Sequence, residues 1–168
     1  KYLDLVNIIH DPTRGVYVGV VGTSSSQSGQ LATVDPSAGS ITYQDPHVQW
    51  PGPIALAADG SSLLVGSQAT GDVVRLSWPG LEETGRVRLP LHPEYGQLLP
   101  SSISASPRNA GVFAVSMERG GYFLPRNAGV ALVRDLVIQP RQTAPLVSSN
   151  VVAFDAVGES VIGFDSEL

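Results

Sequence analysis

A short hydrophobic hairpin recurs along this 168-residue chain at a fixed interval. The hairpin corners carry Asp11, Asp59, Pro107 and Asp155, each 48 positions after the last. At each corner an apolar run ends, a turn of Asp, Asn, Ser or Gly follows, and a second apolar run begins, as in Asp11-Pro12-Thr13-Arg14-Gly15-Val16 and Asp59-Gly60-Ser61-Ser62-Leu63. Asp and Asn side chains bond to the backbone two residues on, and Gly supplies the positive φ that tight corners need. The flanking runs are short and rich in Val, Ile and Leu, as strands are. A period this regular means a repeat architecture whose units bury their faces on one another.

Each unit continues with a third apolar segment, at Gln30–Val34, Asp72–Leu76 and Gly129–Val133. A fourth follows, near Ser40–Tyr43, Gly85–Leu89 and Leu136–Ile138. Four antiparallel strands every 40 to 50 residues are the sequence signature of a β-propeller blade. The plainer all-β alternative is a sandwich with hairpins every 8 to 12 residues, but a sandwich does not require a fixed period. Gly and Pro, 18 and 13 of the residues, interrupt nearly every 12-residue window, and only 15% of the chain is charged. The expectation is an all-β propeller segment of about 3.5 blades, with units at roughly 1–48, 49–96, 97–145 and a partial 146–168.

The stretches Asp11–Val18, Val34–Ile41 and Ala58–Gly66 resemble the YncE-like, YVTN-type seven-bladed propellers of bacteria, within the lactonase-like superfamily. In place of the family's usual YV(T/S)N strand this chain has Val18-Gly19-Val20-Val21 and Val65-Gly66-Ser67-Gln68. The resemblance implies a propeller from a bacterial envelope or extracellular protein, placing it in the periplasm, on the cell surface or outside the cell. It carries over no catalytic constellation. A segment of 3.5 blades reads most simply as part of a larger propeller. The second reading is two copies pairing into seven blades.

Charge and composition exclude several functions. The nine Arg and one Lys are scattered over a chain of net charge −5, so no phosphate-tracking basic surface is expected. No apolar run approaches the length of a membrane helix. With no Cys there is no disulfide, thiolate metal site or thiol nucleophile. Neither a G-x-S-x-G elbow nor a phosphate-binding Gly loop occurs. No cofactor and no catalytic residue is assigned.

The long connections, among them the irregular loops Leu89–Pro100 and Met117–Ala128, fall on one face of the expected propeller, where recognition usually lives. They carry His47, Trp50, His92, Glu94, Tyr95, Glu118, Arg119, Tyr122 and Phe123. Aromatic and Arg anchors are typical of binding surfaces. The plainer reading is that Trp50, Tyr95 and Phe123 cap the blades as packing residues. His47 and His92, with Asp45, Glu94 and Glu118 as carboxylates, could meet near the channel mouth as metal ligands, but no pair has a motif spacing and no metal is assigned. The expectation is a non-enzymatic module that binds a protein, glycan or small molecule. The alternative is a lactonase-like or cofactor-dependent propeller enzyme with its site at the central channel.

Overall fold

The computed structural model describes residues 3–121, 127–140 and 151–164. They contain fifteen strands and no helix. The first sheet is β1 (Leu5–Asp11), β2 (Val16–Val21), β3 (Leu31–Asp35) and β4 (Ser40–Gln44), hydrogen-bonded in that order. The second is β5 (Pro51–Leu56), β6 (Ser62–Ser67), β7 (Asp72–Ser77) and β8 (Glu83–Arg88). The third contains β9 (Leu91–His92), β10 (Gly96–Ala105), β11 (Val112–Arg119), β12 (Asn127–Arg134) and β13 (Val137–Ile138). The last is the pair β14 (Val151–Phe154) and β15 (Val161–Phe164). All neighbours pair antiparallel. This is a partial β-propeller.

The hairpin corners form for the local reasons their residues suggest. Asp11 Oδ1 accepts from the backbone N–H of Thr13 (3.0 Å) and Arg14 (3.2 Å). Asp59 Oδ1 accepts from Ser61 N (3.0 Å), and Asp155 Oδ1 from Glu159 N (2.8 Å). In the third unit, where Pro107 stands in the Asp slot, Asn109 takes over by accepting from Gly111 N at 2.9 Å.

Two cores join the three full sheets, which the strand period explains. Along β6, Leu63 and Val65 face the first sheet, packing with Val18, Val20 and Leu31, while Leu64 faces the third, packing with Phe113 and Val115. Alternate residues of a strand point to opposite faces, so a central sheet buried on both sides reads as an unbroken apolar run. Each of these wholly buried Leu and Val side chains contributes roughly 1.5–3 kcal/mol relative to exposure. On the far side of the third sheet, Ser102 Oγ and Ser104 Oγ accept from the backbone N–H of Val152 (3.4 Å) and Phe154 (3.1 Å). The two end faces are less covered: Val6, Ile8 and Tyr17 of the first sheet and Val151 and Ile162 of the last pair are exposed.

The structure departs from the sequence expectations at three connections. Residues 89–100 read as an irregular loop, yet β9 and the first half of β10 form a small hairpin there, pairing His92 with Gly96. Residues 117–119 and 127–128, also read as loop, extend β11 and β12, because Leu98 pairs with Arg119 and lengthens the ladder. Glu83, two residues ahead of the segment expected at Gly85–Leu89, opens β8, with Arg86 Nε donating to its carboxylate at 2.8 Å.

Candidate functional site

In an antiparallel blade the connections between the second and third strands, and from the fourth to the next blade's first, emerge at the same end. The connection from β4 to β5 carries His47 and Trp50, both at positive φ (53° and 47°). Such a backbone is strained for these residues and persists only where neighbours hold it. Ser67 Oγ donates to the Gln49 carbonyl (2.6 Å) and Gln68 N to the Trp50 carbonyl (2.9 Å), so the end of β6 pins the connection. Pro46 and Val48 are buried, and the Trp50 indole is left 71% exposed. His47 Nδ1 lies 3.5 Å from Asp45 Oδ2, its side chain almost wholly in solvent. Both residues border a groove whose other wall is Leu81, Glu82 and Glu83.

The connection from β8 to β10 carries His92, Glu94 and Tyr95. Its entry and exit are fixed by backbone and amide bonds. Leu89 N donates to Gly71 O (2.9 Å), and Gln97 Nε2 donates to the carbonyls of Leu89 (2.8 Å) and Leu98 (3.0 Å). Beneath it, buried Asp72 accepts from Arg88 Nε (2.8 Å) and Thr70 Oγ1 (2.8 Å). The Arg88 hydrogen bond holds the Asp72 carboxyl below its usual range against the opposing effect of burial, and Thr70 and Arg86 add to the lowering.

At the tip, His92 Nδ1 accepts from the backbone N–H of Glu94 (3.2 Å) and Tyr95 (3.3 Å). With Nδ1 acting as acceptor, the neutral ring carries its proton on Nε2. The His92 ring packs on Tyr95 with centroids 4.6 Å apart. Arg119, at the end of β11, places its guanidinium carbon 4.1 Å from the centre of the same Tyr95 ring. That is close cation–π geometry. Arg119 Nε is buried and, among the described residues, donates to no acceptor. Leaving a buried charged donor unmet costs more than the roughly 1–3 kcal/mol of a neutral one. Glu94 is exposed beside the stack, and Glu118 is half-buried where β11 meets Leu99 of β10 and Asn127 of β12.

Beside the stack a groove of about 590 Å³ opens. His92 lines it, with Pro90, Leu91 and Pro93 on one side and Met117 and Val130 on the third sheet. Its wall is mostly apolar, with few polar groups, as ligand grooves are.

The structure thus brings His92, Tyr95 and Arg119 into contact, with Glu94 adjacent. It keeps His47 and Trp50 on the preceding connection, and His47 and His92 line separate grooves. Tyr122 and Phe123 lie outside the described residues. Sequence reading had no signal for the buried Asp72 ion pairs, whose partners are 14 and 16 residues away across a ladder.

No family model and no curated protein matches the chain. Solved structures do. The chain is similar over 99% of its length to a structure of Kuenenia stuttgartiensis hydrazine synthase, at 18% identity and a TM-score of 0.70, covering 44% of that chain. Over 97% of its length it is similar to the Myceliophteria thermophila Cps50 (Swd1) β-propeller domain, at 11% identity and a TM-score of 0.65, covering 51% of that chain. The fold they share is the propeller. The chain spans about half the length of these structures.

Proposed function

We propose that the chain is a non-enzymatic β-propeller binding or scaffold module that recognises a protein, glycan or small molecule through its long-connection face. The observation that carries this reading is the His92–Tyr95–Arg119 stack, which sits beside an open apolar groove. The exposed Trp50 on the neighbouring connection adds a second aromatic contact on the same end. Rigid blades holding a few aromatic and Arg anchors are suited to recognition. The sequence resemblance to YncE-like bacterial propellers supports a place in the cell envelope or outside the cell. The exposed apolar end faces support further blades of the same propeller, or a second copy, as structural partners.

The test is retention on immobilised panels of glycans and peptides. Trp50→Ala and Tyr95→Ala should each reduce retention about tenfold, the effect of losing a good aromatic anchor. Tyr43→Ala, an exposed aromatic on the flank of the first sheet, should not. Equal retention by all three variants would remove the long-connection face as the recognition surface. Mass in solution tests the partner reading: a chain that stays monomeric at high concentration is not completed by a second copy.

A further inference from the structure

Arg119 differs from the arginines of the first two blades. Arg14, Arg86 and Arg88 each meet a carboxylate of this chain. Arg75 donates to Thr84 Oγ1 at 3.2 Å. Arg119 instead lies over an aromatic ring, is partly buried, and has no ion pair and no acceptor for Nε among the described residues. A guanidinium offers five N–H donors in a planar fork and always carries its charge. The Tyr95 ring supports one side of that fork but accepts none of its conventional hydrogen bonds. The fold therefore presents a positioned cation with one unmet donor, joined through Tyr95 and His92 to a groove that is mostly hydrocarbon and has Glu159 in its lining.

We propose that Arg119, held over Tyr95, binds the carboxylate of an apolar small molecule whose body lies in the groove bordered by Pro90, Pro93, Met117 and Val130. This rests on the reading of the long-connection face as a binding surface and names the chemistry that face selects. A carboxylate matches the fork in plane and charge and can accept two parallel N–H bonds. The groove, about 590 Å³, is in the range that takes a small organic ligand. His92, in contact with Tyr95 and lining the groove, stands between the charged end and the apolar body.

The experiment is calorimetric or NMR titration of the whole chain with hexanoate and with hexanamide, which share an apolar body and differ in charge, and with inorganic phosphate. Hexanoate should bind saturably and at least tenfold more tightly than hexanamide, with phosphate a poor competitor. Arg119→Gln should erase the preference by weakening hexanoate, with circular dichroism and a thermal midpoint close to that of the unaltered chain showing that the variant is folded. Arg119→Lys, which keeps the charge without the fork, should fall between the two. Equal binding of hexanoate and hexanamide by the unaltered chain would overturn the carboxylate assignment yet leave an apolar recognition groove in place. Stronger competition by phosphate than by hexanoate would overturn it in favour of another anion. Binding of neither organic probe would overturn it as well, and retention of the Trp50 and Tyr95 variants would then judge the face separately.

Discussion

The indole Nε1 of Trp78 donates a 2.8 Å hydrogen bond to Oδ2 of Asp11, a residue of the neighbouring blade. Arg14 meets the same oxygen at 2.9 Å and reaches across to the carbonyl of Gly60 at 3.1 Å. One wholly buried carboxylate thus caps its own hairpin and ties the first blade to the second. Replacing Trp78 with Phe keeps an aromatic ring but removes the donor together with part of the buried indole. Stability measured by urea unfolding should fall by roughly 1–3 kcal/mol, the cost of a buried acceptor losing a partner. An unchanged midpoint would mean that Arg14 and the backbone donors satisfy Asp11 without Trp78.

Acid should weaken the same fastening. Burial favours the neutral form of Asp11, but hydrogen bonds from Trp78, Arg14 and the backbone outweigh it and hold its carboxyl below the ordinary 3.8. Asp72 is likewise lowered from 3.8, chiefly by Arg88. A carboxyl with a lower pKa folded than unfolded contributes stability that is complete above the unfolded value and lost as pH falls through the folded one. The urea midpoint should therefore be level near neutrality and drop below about pH 4. In Asp72→Asn that drop should be shallower. A midpoint that rises on acidification would contradict both assignments.

Two glycines at similar φ should respond differently to alanine. Gly39 (φ 62°) has open space where a Cβ would stand, so Gly39→Ala should cost only the roughly 1–2 kcal/mol of the left-handed backbone. At Gly71 (φ 72°) a Cβ would run into the Leu98 carbonyl and the Gln97 side chain. The added clash should bring a further 1–3 kcal/mol or so, and should disturb the connection that carries His92. Equal thermal midpoints for the two variants would show that the β8–β10 connection yields easily.

Packing and recognition separate at Trp50 and Tyr95. Trp50→Ala should leave the thermal midpoint nearly where it was, since the indole is mostly in solvent. Tyr95→Ala loses contact with both His92 and Arg119 and should cost about 0.5–1.5 kcal/mol. A shift of several degrees in Trp50→Ala would make that residue a packing element.

The blades were legible in the sequence because their corners are made by local chemistry. Asp11, Asp59 and Asp155 bond to backbone within a few residues, and the strands between them are plain apolar runs. The segment from Leu89 to Pro100 was misread because three prolines argue against a strand. Pro100 is accommodated where the register shifts between it and Ser102, a bulge that no local pattern announces. Residue type alone singled out His92, Tyr95 and Arg119, but their meeting depends on the pairing of Leu98 with Arg119. The service of Asp11 to two blades was invisible for the same reason, because Trp78 enters from another sheet.

The short β13 leaves a mark that amide hydrogen exchange can read. Asp135 N donates to Gly111 O across one side of β12, and Gln139 N donates to Leu132 O across the other. The alternation places the N–H groups of Ala131 and Val133 toward β11 and that of Val130 toward the outer edge. There the described part of the outer strand pairs only Ile138 and Val137 with β12, and Pro140, having no N–H, cannot extend the ladder as a donor. Blade three should therefore show protection in a period of two, with the outward N–H groups of Leu132 and Arg134, which meet only the two-residue β13, exchanging ahead of those of Ala131 and Val133.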